Sequence, residues 1–432
     1  MLHRAAPSGN VIENLRFFVE VLRRLPVHGG LMTSRTQPGP RRRRRVALLI
    51  ESSRGYGRGL FLGVAKFVRQ RHDWSVQSEE WKWTDPMPAW LKHWDGDGVI
   101  ARVETPDMAR LILRLGAPAV DLRGSVKGFD FPLIDTDDQK VASLAAEHLM
   151  ERGFRNFAFC GFVGANYSDK RCHWFQERLA RSDFKCHIYK PPLAATKGRT
   201  IDHEKRGLLF QENLIRWLKA LPRPVGIMAC NDIRGQQVLN LCPRAELTAP
   251  EEVAVIGVDN DETLCELSDP PLSSVAPDTL RIGYEAAVLL EQMMDGKSPP
   301  AKPILIPPLG IVTRRSTDVL ALEDRKLTAG LRFMREHAFD RISIDDVARA
   351  SAMSRRVFER RFVRQVGRTP KAEVLRLRLQ RVKQLLLDTD WSLAEIASRT
   401  GFKYGEYLHT VFSAKVGLTP GEFRRRSQPS RR

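Results

Sequence analysis

The feature that most constrains this chain is a repeat near its C-terminus. Ile344-Asp-Asp-Val-Ala-Arg-Ala-Ser-Ala-Met-Ser354 leads to Phe362, and Leu393-Ala-Glu-Ile-Ala-Ser-Arg-Thr-Gly-Phe-Lys403 leads to Phe412. Each copy opens on a serine three residues ahead of an acid, Ser343 with Asp346 and Ser392 with Glu395. At that spacing the hydroxyl accepts the amide of the acidic residue, and the carboxylate sits in the positive first turn, so both mark helix starts. A small residue follows in each (Ala348, Ala397), then a tight turn, a second helix ending on an aromatic, and Val-Gly-x-Thr-Pro at Val366–Pro370 and Val416–Pro420. A small residue at the crossing lets two short helices pack steeply, as a helix-turn-helix needs. Between the copies, Pro370 to Asp388 reads as one long helix with Val374, Leu377, Leu379, Val382, Leu385 and Leu386 apolar. It would hold the two units at a fixed separation.

Upstream of about Asp324 the pattern is different. Short apolar runs at Val46–Ile50, Ser75–Ser78, Gly98–Ala101, Ala119–Leu122, Phe157–Cys160, Val225–Ala229 and Val253–Val258 read as strands. Helical stretches such as Arg58–Arg71, Pro106–Leu115, Gln139–Arg152 and Glu204–Leu221 lie between them. Such alternation predicts parallel sheets covered on both faces. It runs too long for one doubly wound domain, so two lobes are expected, with a cleft where strand carboxyl ends converge. A chain of 432 residues, 42% apolar, can build these cores without a disulfide or metal staple. Its six cysteines never form C-x-x-C and are expected as buried thiols.

Charge divides the chain in the same way. Residues 1–45 hold 10 basic and 2 acidic side chains, residues 324–432 hold 25 and 12, and residues 46–323 hold 35 and 37. A neutral middle thus lies between two cationic ends. Cationic ends suit a polyanion. Residues 1–45 read as a basic, disordered extension, with an amphipathic stretch at Val11–Leu25 and five arginines at Arg41–Arg45. Met32 offers a later translation start just ahead of the first strand. No run of about 18 apolar residues occurs, so no membrane span or membrane partner is expected.

The C-terminal repeat resembles the AraC-type DNA-binding domain across residues 324–426. The matching residues include Ala348, Phe358–Phe362, Gly367, Pro370, Arg378, Ile396-Ala397, Gly401-Phe402, Tyr407-Leu408, Phe412, Gly417, Thr419-Pro420 and Phe423-Arg424. The resemblance implies that both second helices enter the major groove of double-stranded DNA on one side of the duplex, about one turn apart. Helix faces then assign candidates. With Phe358 and Phe362 inward, Arg355, Arg356, Glu359 and Arg360 point out; by position in the family's helix, Arg356, Glu359 and Arg360 are the expected base readers. Arginine can fork onto guanine and a carboxylate can accept from cytosine. With Leu408 and Phe412 inward, Lys403, Tyr404, Glu406, Tyr407, His409 and Thr410 are the second set, Glu406 and Tyr407 being equally readable as structural. Arg361, Arg364, Arg378, Arg424 and Arg425 read as phosphate anchors or solvated charge. His409 is read as a surface residue, and no metal or cofactor is expected.

The middle resembles the effector domain of the LacI family and of periplasmic sugar-binding proteins. Ile134-Asp-Thr-Asp-Asp-Gln-Lys-Val through Cys160-Gly161, Val225-Gly-Ile-Met-Ala-Cys-Asn-Asp232 and Val253-Ala-Val-Ile-Gly-Val-Asp-Asn260 carry the likeness, over residues 46–315. A LacI-like body followed by an AraC-type tail resembles the family of xylose operon regulators, and Pro307-Pro308 through Arg314-Arg315-Ser-Thr-Asp318 strengthens this. The resemblance implies an α/β two-lobed sensor of the type I periplasmic-binding-protein kind at 46–318 and an all-α double helix-turn-helix domain at 319–432. It implies a cytoplasmic homodimer that binds operator DNA and a monosaccharide, with xylose the family's expected effector. By family position Asp232 and Asp259 end strands at the cleft, where each would hold two hydroxyls; Asn260 stands behind them. The Asp232 carboxylate is also placed to cap the next helix. Arg171 takes the place of the family's gripping arginine, although Trp174 precedes Phe175 where the family has glycine. Glu51, Ser52, Arg54 and Tyr56 follow the first strand and can line the cleft from the other lobe; Glu51 and Tyr56 are equally readable as lobe–lobe contacts. Trp81 and Trp83 can stack on a sugar or pack the lobe.

A rival reading is a thiol-dependent repair or amidotransferase-like enzyme fused to a DNA-binding end. It needs an activated cysteine. Cys160 before Gly161 and Cys230 before Asn231 are the nearest candidates, and neither shows a basic partner in sequence.

Overall fold

The structure is a computed structural model of the chain and describes residues 42–71, 73–81, 85–192, 210–319, 324–340 and 342–427. Most of the N-terminal extension, with Val11–Leu25, and Trp83 lie outside these residues. The described residues form two units, one within Thr36–Ala321 and one within Leu322–Arg432.

The first unit has two lobes. In the first lobe β1 (Arg44–Leu49), β2 (Trp74–Gln77), β3 (Gly98–Ala101) and β4 (Ala119–Asp121) form a parallel sheet in the order β2-β1-β3-β4. Apolar residues face both ways from each strand because both faces are covered. Val46, Leu48 and Ile100 pack on Leu60, Val64 and Phe67 of α1 (Gly55–Arg71). Ala47, Leu49 and Val99 pack on Met108 and Ile112 of α2 (Pro106–Arg114). The sequence reading placed Arg44 and Arg45 in a disordered extension, and the structure does not. Arg44 and Arg45 belong to β1, where Arg44 pairs with Glu291 and Asp295, and Arg45 pairs with Asp95 and lies over the Trp94 ring. Nearby acids and an aromatic face anchor these two arginines, which in the sequence read as part of a uniform charge.

Through β5 (Ile134–Thr136) the chain enters the second lobe. There follow α3 (Asp138–Glu151), β6 (Asn156–Cys160), α4 (Asn166–Ala180), β7 (Cys186–Ile188), α5 (Gln211–Ala220), β8 (Val225–Ala229), α6 (Asp232–Leu241), β9 (Val253–Val258), α7 (Glu262–Leu267) and β10 (Ser273–Ala276). The chain returns to the first lobe as α8 (Thr279–Met294), pairs β11 (Ile304–Ile306) with β5, and re-enters the second lobe as β12 (Gly310–Val312). The second sheet runs β12-β10-β9-β8-β6-β7, parallel except for β12. One face packs on α3 and α4 through Val141, Ala145, Phe175 and Leu179, the other on α5 and α6 through Leu214, Leu218 and Val238. The chain therefore crosses between the lobes three times.

The second unit is helical throughout its described residues: α9 (Arg325–His337), α10 (Ile344–Ala350), α11 (Arg355–Val366), α12 (Pro370–Asp388), α13 (Leu393–Arg399), α14 (Gly405–Val416) and α15 (Pro420–Ser427). Both capping boxes form, with Ser343 and Ser392 accepting from the amides of Asp346 and Glu395, whose side chains return the bond. The long helix spans Pro370–Asp388 as expected, and Val382, Leu385 and Leu386 bury against Ile396, Ala397, Leu408 and Phe412. Ala348 and Ala397 are both buried.

Candidate functional site

The cleft of the first unit is built from loops that follow strands. Glu51, Arg54 and Tyr56 come after β1, Arg102 and Glu104 after β3, Arg123 and Ser125 after β4. Across from them stand Tyr167 and Arg171 on α4, Asn231 after β8, and Asp259 after β9, with Asp135 and Asp138 where the chain crosses over. This is the crevice at the carboxyl ends of the strands.

Its charges are matched inside the protein. Glu51 is fully buried and pairs through Oε1 with Arg102, whose guanidinium lies 4.7 Å over the Tyr56 ring. Arg123 pairs with Glu104. Arg171, 4% exposed, donates from Nε to Asp138 Oδ1 (2.8 Å) and from Nη1 to the Cys230 carbonyl (2.5 Å), with Asp259 Oδ1 at 3.7 Å. Burial would lower the Arg171 pKa; the charges of Asp138 and Asp259 outweigh it and hold it above its ordinary value. Burial, then the Asp138 charge, raises the Asp135 carboxyl to about 7. The buried Tyr56 phenol is pushed up as well and donates to or accepts from Thr136 Oγ1 at 2.9 Å. Glu51 Oε2 is a buried carboxylate oxygen without a hydrogen-bond partner.

Five of the candidates therefore line one cleft: Glu51, Arg54, Tyr56, Arg171 and Asp259. Asp232 does not. It is 1% exposed, and its oxygens are taken by the Ser274 hydroxyl (2.6 Å) and the Asp261 amide (2.8 Å). Burial, then the Asp259 charge, holds its carboxyl well above the usual range. The helix cap and the place in the cleft lining both fall one residue earlier: Asn231 Oδ1 accepts the Arg234 amide and its Nδ2 donates to Tyr167 Oη. Asn260 lies behind the cleft, its side chain accepting from Arg314 at 3.0 Å. Ser52 lies beside the lining, its amide on the Trp81 carbonyl. Trp81 is buried in the first lobe's core and donates to Pro86 O, so it packs rather than stacks on a ligand. Sequence reasoning missed Arg102, Glu104, Arg123, Asp135, Asp138 and Tyr167. The rule that ligands meet strand carboxyl ends pointed to the residues after β3 and β4 as much as to those after β1.

The thiols point away from nucleophilic chemistry. Cys160 and Cys230 are fully buried, and burial first of all pushes them up, Cys230 to about 12. An activated thiol needs the opposite shift.

In the second unit Arg355, Arg356 and Arg360 are exposed and Glu359 half-buried on α11. Arg355 pairs with both Asp345 and Glu359 at 3.0 Å, whereas Arg356 and Arg360 have no ion pair among the described residues. Around the start of α14, Lys403, Tyr404, Glu406, Tyr407, His409 and Thr410 are all exposed. The Tyr407 ring lies 6.1 Å from Phe402, and Thr410 Oγ1 bonds back to the Glu406 carbonyl. Two arginines expected as phosphate anchors or solvated charge are fasteners instead. Arg378 donates to the carbonyls of Ala338 (2.6 Å) and Asp340 (2.8 Å), and Arg424 to those of Leu386 (3.2 Å) and Trp391 (2.7 Å). Each thus ties off the end of a long helix, α9 or α12. Arg361 reaches Asp324, the N-cap of α9; Arg364 and Arg425 remain exposed.

Comparison with known proteins agrees with both halves. Residues 45–139 match the XylR N-terminal domain, 146–317 a periplasmic binding protein-like domain, and 347–426 a helix-turn-helix domain. The xylose operon regulatory protein of Haemophilus influenzae is 32% identical over 88% of this chain and 98% of its own. Its counterpart in Escherichia coli K12 is 31% identical over 89% and 97%. A solved structure of a xylose-binding transcription activator, XylR, superposes with a TM-score of 0.74 at 30% identity, covering 90% of this chain and all of that one. No helix among the described residues is long and apolar enough to cross a membrane. At this identity, over nearly the whole length of those relatives, the chain belongs to the xylose operon regulatory protein family of transcription regulators.

Proposed function

We propose that this regulator is a cytoplasmic homodimer, joined through its sensor, whose affinity for operator DNA is set by D-xylose in the cleft, and that it is not an enzyme. The domain boundaries we assign are 46–318 for the sensor and 319–432 for the DNA-binding part. The observation that carries the reading is the pairing of charges in the cleft. Glu51 with Arg102, Glu104 with Arg123, and Asp138 and Asp259 with Arg171 leave a polar surface with little uncompensated charge, rich in oriented acceptors and donors. That chemistry suits a neutral polyhydroxyl ligand, and Glu51 Oε2 and Asp259 offer it acceptors. Xylose rather than another sugar follows from what the relatives are named for. On the DNA side Arg356 and Arg360 are the direct base readers from α11, with Arg355 and Glu359 orienting one another beside them. Lys403, Tyr404, Glu406, Tyr407 and Thr410 form the second reading surface. Calorimetric titration of D-xylose into the full chain tests the sensor half. One saturable site is expected, lost in Asp259→Ala; absence of binding by xylose and by every other pentose or hexose tried would overturn it.

A further inference from the structure

The turn after β9 touches three parts of the sensor at once. Asp259 lines the cleft 3.7 Å from Arg171. Asp259 and Asn260 have φ of 108° and 47°. Two successive non-glycine residues there persist only where their surroundings fix them. The fixing groups are buried: the Asn260 amide donates to Ser274 Oγ (3.0 Å), the Asp261 amide to Asp232 Oδ2 (2.8 Å), and Ser274 Oγ to Asp232 Oδ1 (2.6 Å). Asn260 Oδ1 then accepts from Arg314, which also holds the Leu272 carbonyl and Glu266. Arg314 opens the segment that leads out of the sensor. Ser316 donates to the Val255 carbonyl, and Thr317 bonds with His148 and Ser273.

The third contact crosses between the lobes. Asp261 Oδ2 accepts the amide of Gly55, the first residue of α1, at 3.1 Å, and Arg58 Nη2 lies 3.9 Å away. Asp261 follows β9 in the second lobe, whereas α1 packs in the first. A carboxylate is favoured at a helix N-terminus, where unpaired amides carry partial positive charge. The fit is close, since a Cβ at Gly55 would stand 3.0 Å from Asp261 Oδ2.

We propose that Asp261 is a positioning residue of the sugar switch, a latch between the lobes that makes occupation of Asp259, approach of the lobes and seating of Arg314 one event. The proposal rests on the reading of the cleft as a sugar site. A ligand shifts a conformational equilibrium only by what it gains in one state over the other. A sugar held by Asp259 gains it through the adjoining carboxylate, which bears on the opposite lobe.

The test uses Asp261→Ser in the full chain. Serine keeps an oxygen for the Leu264 amide that Asp261 caps, but has no second oxygen to reach Gly55. If Asp261 only capped α7, this variant would behave as the parent does. Two readouts decide. Without sugar, amide exchange in the first turn of α1 is expected to speed up at least about fivefold, as the latch on that turn opens. The apparent Kd for D-xylose is expected to rise about tenfold, because the competent fraction falls by that factor. Unchanged exchange at α1 overturns the latch whether or not xylose binds. Faster exchange with a Kd within about twofold of the parent overturns its part in the switch. If the parent binds no xylose, the sugar reading fails and the exchange result still decides the latch. Should the serine variant fail to fold, Asp261→Asn keeps the shape and one acceptor, and the same two readouts apply.

Discussion

At the scale of single residues, the cleft depends on one guanidinium doing several tasks. Arg171 joins Asp138, Asp259 and the Cys230 carbonyl. Lysine keeps the charge but not the fork, so Arg171→Lys is expected to weaken xylose binding about tenfold or more, by calorimetry, with a smaller loss of thermal stability. Asp135 makes a pH prediction. Its folded pKa of about 7 stands above the ordinary 3.8. Between those values the folded state keeps a proton that the unfolded state has lost, so this group's contribution to stability falls as pH rises through the window. Asp135→Asn should therefore gain stability relative to the parent by more than about 1 kcal/mol from pH 5 to pH 8 in denaturant titrations. Arg171, within α4, was legible from its family position alone, and Asp259 from a family position at a strand end. Asp232 was placed in the cleft on the same ground as Asp259, a family position at a strand end, but the lining falls one residue earlier, on Asn231, because a likeness in sequence does not say which residue of a short turn faces the cleft.

At the scale of elements, legibility followed the length and periodicity of each segment. The capping boxes and the helix Pro370–Asp388 could be read directly, since local chemistry decides both. The strands β5, β7, β10, β11 and β12 were not expected. None of them stood out as an apolar run of its own, and β11 takes its place from β5, a pairing partner distant in sequence. Nor could the sequence separate arginines that fasten helices from those that face solvent. Gly401 shows how close the fastening is: with φ of 74°, it would place a Cβ 2.8 Å from the Arg378 guanidinium. Two substitutions separate the roles. Arg378→Ala frees the carbonyls of Ala338 and Asp340 and should lower stability by about 1–3 kcal/mol in a melting experiment. Arg356→Ala should leave stability unchanged and relax discrimination at one base position by about 1–3 kcal/mol in competition binding.

At the scale of the whole molecule, the charge divides by task. The residues between the two ends hold 35 basic and 37 acidic side chains, whereas the 25 basic residues after Asp324 surround two helix-turn-helix units. Cationic groups on a duplex release counterions, so DNA affinity should fall linearly in log–log coordinates as salt rises, by about 0.9 per phosphate neutralised. Part of the arginine count is unavailable for this, since Arg378 and Arg424 are spent on helix ends. The N-terminal arginines contribute less than their number suggests, because Arg44 and Arg45 pair with acids of the sensor. On this division of charge, a sugar in the neutral half governs DNA binding by the cationic half. The most direct test is the affinity of the full chain for duplexes recovered by selection from random DNA, measured at fixed salt with and without saturating D-xylose. At least a fivefold change in Kd is expected with xylose, abolished in Asp259→Ala. An affinity that is the same with and without xylose would contradict it.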